Sequence, residues 1–391
     1  MSDGPRIHPV YAAMERTVFD RMSGLACELG AINLGQGFPD APGPAPVIDA
    51  AVRALRERSS QYPPGAGLPE LREAVCDWYR RQQGLALEPD HITVTSGATE
   101  AIAAAVLALV CPGDEVILFQ PAYDAYAPMV RRAGGVPVPV PLMPPDFAYP
   151  LHSIAASIGP RTRALILNDP LNPAGTVASE AELAGIARLC VAHDLVAICD
   201  EVWEAVRFDD VPHRSLMRFP GMAERTVKIG SAGKIFGITG WKIGWMAARG
   251  AIGTALGRVH QFLTFASAPP LQWAVAEGLA MPDAMLADQQ ADWARSRQRL
   301  RVGLEGAGFA VLENAATWFL CIDLAASGIP LADAAFCDRA VHNAGVATIP
   351  VSALYEGQER PTNIVRLCFA KSAATLDEAV SRLAAFRRTL S

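Results

Sequence analysis

Between about residue 46 and residue 250, short apolar runs bounded by turn residues alternate with helical segments. Successive parallel strands need a long crossover between them, so this alternation restricts the chain to an α/β architecture with a mostly parallel sheet. Seven runs read as strands: "ITVTSG", "DEVILFQP", "VPVPVPL", "TRALILND", "LVAICDE", "RTVKIGS" and "KIGWMAA". Between them "TEAIAAAVLALV", "YDAYAPMVRRAG" and "SEAELAGIARLCVAHD" read as helices, the last opened by Ser179 with Glu182 three residues on, a capping box. After about residue 283 the texture changes to a long charged helix, followed by a shorter cycle of strands and helices. The expected organisation is a large domain over 46–282, built on a seven-stranded sheet, and a smaller α+β domain from 1–45 and 283–391. A cleft between them is the default ligand site.

With 391 residues, 51% of them hydrophobic, the chain can bury a large core. A formal charge of −6 without a basic run argues against nucleic acid as a partner and leaves small metabolites. The longest apolar run, Ala101 to Cys111, falls far short of the ~20 residues of a membrane span. No signal-like apolar core precedes residue 20, so secretion is not expected. Eight scattered cysteines without a C-x-x-C, and seven dispersed histidines, point to buried structural thiols in a reducing, cytoplasmic setting. No metal site is expected.

Chemistry-bearing residues fall at the expected C-terminal ends of strands, where open α/β sheets place ligands. Ser96, Gly97, Ala98 and Thr99 join a strand to a helix; such small residues either make a tight turn or let backbone N–H groups approach a phosphate. Asn172, between two prolines in "NDPLNPAG", either stiffens a turn or faces a ligand. Asp200 ends an apolar strand, where its carboxylate needs a cap or a buried cation. Only four of the 34 Lys and Arg residues are lysine, and two of them, Lys234 and Lys242, stand in "GSAGKIFGITGWKIGW". An amine can lose its proton and form a Schiff base, whereas a guanidinium cannot.

Taken in order, "NLGQGFPD", "QYPPGAG", "SGATEA", "NDPLNP", "CDE", "SAGK", "GWKIGW" and "IVRLCFA" resemble the pyridoxal-phosphate-dependent aminotransferases of fold type I, class I/II. The pattern is closest to the kynurenine/glutamine and methionine aminotransferases and spans nearly the whole chain. The resemblance implies that Lys234 carries the cofactor and moves the proton, that Asp200 pairs with the protonated pyridine nitrogen, and that Asn172 binds the phenolic oxygen. It implies a phosphate held by Gly97, Ala98, Thr99, Ser231 and Lys242, with Tyr62 reaching in from a second subunit of a homodimer, and a ring stacked on Tyr123. Arg366 matches the clamp for the substrate α-carboxylate, with Gly37 and Asn172 beside it. Trp203 stands where the family usually has tyrosine, so a shifted titration of the bound cofactor or a slowed half-reaction is expected, with transamination retained. Leu171 stands where close relatives often have histidine.

On the family's pocket, Phe19, Phe38, Tyr126 and the partner-facing Phe265 imply a neutral, fairly large apolar side chain such as that of methionine, phenylalanine, leucine or kynurenine. No second arginine stands out for an ω-carboxylate. The expected activity is ping-pong transfer of the amino group to a 2-oxo acid. A C–S β-lyase on the same cofactor is the alternative, which would release pyruvate and ammonia without a second oxo acid. A non-catalytic sensor would need a DNA-binding segment for which residues 1–45 are too few.

Overall fold

The computed structural model describes residues 7–390. The seven expected strands are present: β1 Ile92–Ser96, β2 Glu115–Gln120, β3 Val136–Pro141, β4 Thr162–Asn168, β5 Val196–Asp200, β6 Thr226–Ser231 and β7 Ile243–Ala247. They form one sheet in the order β1-β7-β6-β5-β4-β2-β3, in which β7 is antiparallel to both neighbours and the remaining pairs are parallel. Both faces are covered, which is why β4 and β5 read as near-continuous apolar runs. The Ser179–Glu182 capping box closes in both directions at the start of helix Glu180–Ala192. Helix Gly97–Leu109 buries Ile102 and Val106, each contributing about 1.5–3 kcal/mol.

A second, antiparallel sheet has β8 Ala310–Val311, β9 Phe319–Asp323, β10 Ile349–Pro350 and β11 Ile364–Cys368 in the order β10-β11-β9-β8. The long charged helix, Asp283–Gly306, packs on helix Ala373–Arg387 beside it. A single apolar cluster runs from Ile198 and Ile229 of the first sheet through Trp203, Trp293 and Trp318 to Phe319 and Leu367 of the second. The two sheets therefore share a core, and the clefts described below lie over it.

All eight cysteines are unpaired, but Cys27 and Cys111 are exposed, which corrects the expectation of uniformly buried thiols. Cys27 sits on the outer side of an amphipathic helix and Cys111 in the turn after one, positions that apolar neighbours in the sequence do not reveal. Among the described residues no helix is long and apolar enough to cross a membrane.

Candidate active site

The C-terminal ends of β1, β4, β5 and β6 bring Ser96, Asn168, Asp200 and Ser231 to one edge of the sheet, with Asn168 and Asp200 in register. There a cavity of about 190 Å³ is lined by Gly97, Ala98, Thr99, Tyr123, Asn172, Asp200, Trp203, Ser231, Lys234 and Lys242, among others. A wider vestibule of about 660 Å³ shares Tyr123, Asn172, Trp203 and Lys234 with it and adds Phe19, Gly37, Phe38 and Arg366.

Lys234 stands in the short helix Ala232–Ile235 that begins where β6 ends. Its Nζ lies 4.6 Å from the centre of the Trp203 ring and 5.2 Å from that of Trp318, with no carboxylate of the described residues in ion-pair contact. Burial pushes its ammonium down to about 8, against the opposing attraction of Asp200. Asp200 is buried; burial pushes its carboxyl up, while the hydroxyl of Tyr126 donates to Oδ2 at 2.5 Å and pulls the other way. Asn168 accepts from the Asn172 N–H at 2.9 Å and donates to the Asp200 carbonyl at 2.9 Å, tying both loop ends together.

At the other end, Gly97 has φ +74°, which suits glycine, and a Cβ there would meet Lys242 Nζ at 3.1 Å. The ammonium thus stands over the N-terminus of helix Gly97–Leu109, whose first N–H groups have no intrahelical partner. A poised amine, a buried carboxylate with no ion pair among the described residues and an anion cup face one small cavity. That donor set fits a phosphorylated pyridine aldehyde.

Arg366, at the middle of β11, is 2% exposed. It donates through Nη1 to Asn172 Oδ1 at 2.9 Å and through Nη2 to the Gly35 carbonyl at 2.5 Å, and its guanidinium lies 4.0 Å from the Phe319 ring centre and 4.9 Å from that of Phe19. Burial lowers it to about 10, so it stays cationic at neutral pH. Gly37 is required by close approach: a Cβ would lie 2.4 Å from Phe319 Cζ.

Three of the expected aromatic site residues, Tyr126, Tyr62 and Phe265, do not line the vestibule. Tyr126 lines the inner cavity and not the vestibule: its side chain is buried, and its hydroxyl serves Asp200. It opens helix Tyr126–Arg132, one turn on from Tyr123, which turns it under the sheet edge. Tyr62 and Phe265 pack edge to face at 5.4 Å on the outside, 85% and 42% exposed, and line neither cavity in a single chain. Phe38 stands at the vestibule rim with Lys371 Nζ 4.4 Å from its ring centre. Sequence reading missed Asn168, Thr239, Phe319, Asp20 and Asp124. Asn168 alone carried a signal, as a polar residue closing an apolar strand.

Glu201, Glu204 and His213 have donor atoms close enough to hold a metal ion. Lys228 takes that place: its Nζ donates to Glu201 and, at 2.5 Å, to Glu204. His213 Nε2 lies 2.7 Å from Glu201; burial alone would lower its pKa, but the carboxylates outweigh it and push the ring up to about 9. Removing this lysine takes the cation from buried Glu204 and leaves Glu201 with His213 alone, so Lys228→Met should cost about 3–5 kcal/mol of stability, read as a lowered denaturant midpoint. An unchanged midpoint would mean the cluster is held by other groups.

The sequence matches the family "Aminotransferase class I and II" over residues 30–383. The chain belongs to the class I and II aminotransferases. Members use pyridoxal phosphate, which accounts for the amine, carboxylate and anion cup. The chain is 45% identical over 378 residues to a Mycobacterium tuberculosis protein named "Probable N-succinyldiaminopimelate aminotransferase", covering 94% of this chain and 95% of that one. It is 39% identical over 370 residues to the methionine aminotransferase of Escherichia coli, covering 94% and 95%. The solved structure of N-succinyldiaminopimelate aminotransferase from Mycobacterium tuberculosis superposes with a TM-score of 0.93 at 44% identity, covering 97% of this chain and 100% of that one.

Proposed function

We propose that this aminotransferase acts on a neutral, apolar or aromatic α-amino acid, passing its amino group to a 2-oxo acid. The observation that carries this reading is the charge of the vestibule. Apart from Lys234, Arg366 is the one cation lining it among the described residues, while Asp20 and Asp124 line it too. One carboxylate is provided for; a second, distal one would meet like charge.

In this reading Arg366 holds the α-carboxylate as a bidentate pair, since each terminal nitrogen keeps a further N–H beyond those given to Asn172 and Gly35. The bound cofactor supplies an electron sink for the bond to Cα. Lys234, with no carboxylate ion-pair partner among the described residues, would take the proton from the substrate Cα and deliver it to C4′ of the bound cofactor. Asp200 holds the pyridine nitrogen protonated, and Tyr126 keeps that carboxylate oriented. Asn172, whose Oδ1 accepts from Arg366, would offer its amide N–H to the cofactor's phenolic oxygen. Gly97, Ala98, Thr99, Ser231 and Lys242 hold the phosphate, and Tyr123 covers the ring. Tyr62 and Phe265 act across a homodimer, consistent with their outward exposure. The unpaired cysteines are in keeping with a cytoplasmic setting.

A second reading rests on the 45% identity to the "Probable N-succinyldiaminopimelate aminotransferase". Stopped-flow spectra of the cofactor-loaded protein with methionine, phenylalanine or N-succinyldiaminopimelate, without oxo acid, separate the two. Conversion by the first pair at high kcat/KM is expected, and conversion by N-succinyldiaminopimelate alone would replace the proposal. Pyruvate and ammonia released from a cysteine S-conjugate without oxo acid would instead favour the β-lyase.

Trp203 has no hydrogen-bond partner for its indole N–H among the described residues and turns its ring face to Lys234. Trp203→Tyr should therefore shift the pH titration of the bound cofactor's visible band, because a hydroxyl adds a donor that can ionise. An unchanged titration would reduce Trp203 to a packing role.

A further inference from the structure

We propose that His260 and Glu100 form a charged positioning pair that sets how tightly the phosphate end of the cofactor is held. Glu100 sits in the first turn of helix Gly97–Leu109, directly after the three residues of the phosphate cup. One carboxylate oxygen reaches back to accept the Ser96 N–H. The other accepts from His260 Nδ1 at 2.6 Å and from the Thr264 hydroxyl at 2.7 Å. The pair therefore fixes the turn from which the cup's N–H groups project.

On its far side His260 Nε2 lies 2.8 Å from the Gly65 carbonyl. That carbonyl belongs to the segment carrying Tyr62, and the Phe265 N–H donates to the His260 carbonyl at 3.2 Å. His260 thus links the inner cup to the outer aromatic edge formed by Tyr62 and Phe265.

Both ring nitrogens face acceptors. A carbonyl cannot donate, and the carboxylate already receives two other donors, so both nitrogens must carry protons and the ring is an imidazolium. Glu100, from the helix packed against it, is the titratable group facing the ring; the 60–67 segment offers the neutral Gly65 carbonyl. Burial alone would lower the His260 pKa, but the hydrogen bonds and charge of Glu100 outweigh it and hold it above the ordinary imidazole range. Because the folded value is raised, the pair's contribution is fully present below the ordinary imidazole pKa and is lost as pH rises through the raised value. One of the two hydrogen bonds then disappears and the cup loosens.

The proposal rests on the phosphate lying at Gly97 to Thr99. It is tested by titrating apo-protein with pyridoxal phosphate, following tryptophan fluorescence between pH 6 and 10. His260→Gln should bind about tenfold more weakly at neutral pH and lose the part of the alkaline decline that belongs to the ring. Glu100→Gln, which keeps shape but not charge, should move that decline to lower pH. The wild-type decline unaltered in both variants overturns the pairing. Lys242→Ala run alongside locates the fault: unchanged affinity there overturns the phosphate placement and the proposal with it. Should the variants not fold, ¹⁵N shifts of His260 in the wild-type holoenzyme decide, since a neutral ring at pH 7 overturns the proposal.

Discussion

Lys234→Ala is expected to abolish transamination, lowering turnover by roughly 10⁴-fold or more while leaving the fold intact. Among the described residues the side chain makes no hydrogen bond or ion pair, and the faces of Trp203 and Trp318 lie beside it. Truncation therefore removes chemistry and little packing. Lys234→Arg should be as inactive, because it keeps the charge and loses the dissociable amine. A companion effect follows from the pKa near 8: the rate at which apo-protein captures pyridoxal phosphate should rise with pH through a midpoint near 8, as the free amine appears. Both are read in visible spectra and in single-turnover assays with methionine. Substantial activity in either variant would remove Lys234 from the centre of the mechanism.

Asp200→Asn is expected to lower turnover by between about 10² and 10⁴-fold, the equivalent of the about 3–5 kcal/mol lost when one member of a buried charge pair is removed. The apo-protein should behave differently. Burial holds the Asp200 carboxyl above its ordinary value, so its contribution to apo stability is present at acidic pH and lost as pH climbs through the raised value. Asparagine removes that dependence and still accepts from Tyr126. Apo Asp200→Asn should therefore melt no lower than wild type at pH 7, while activity falls. A variant that loses stability in step with activity would assign Asp200 a structural role. Tyr126→Phe would leave the carboxylate one donor short, with a smaller loss of the same kind.

The contrast between Lys234 and Lys228 explains what could be read in advance. Both are scarce lysines near strand ends, yet one faces an open cavity and the other two buried glutamates. The sequence shows that both exist; only packing shows which carboxylates reach each amine. Tyr126 makes the same point. The family resemblance placed it with the substrate-pocket residues, but only packing shows that it lines the inner cavity and gives its hydroxyl to Asp200.

Strand identity and order of appearance were legible because the interior strands bury both faces and so write continuous apolar runs into the chain, while the edge strand Val136–Pro141 alternates valine with proline. The motifs at strand ends were legible because a parallel sheet collects those ends on one edge, whatever the order of its strands. Contacts between distant segments were not. The junction of Glu100, His260 and Gly65 joins three stretches up to 195 residues apart, and Arg366 meets Gly35 across 331. No local periodicity encodes such pairs; they follow from closing the two sheets onto one core, which only the tertiary structure decided.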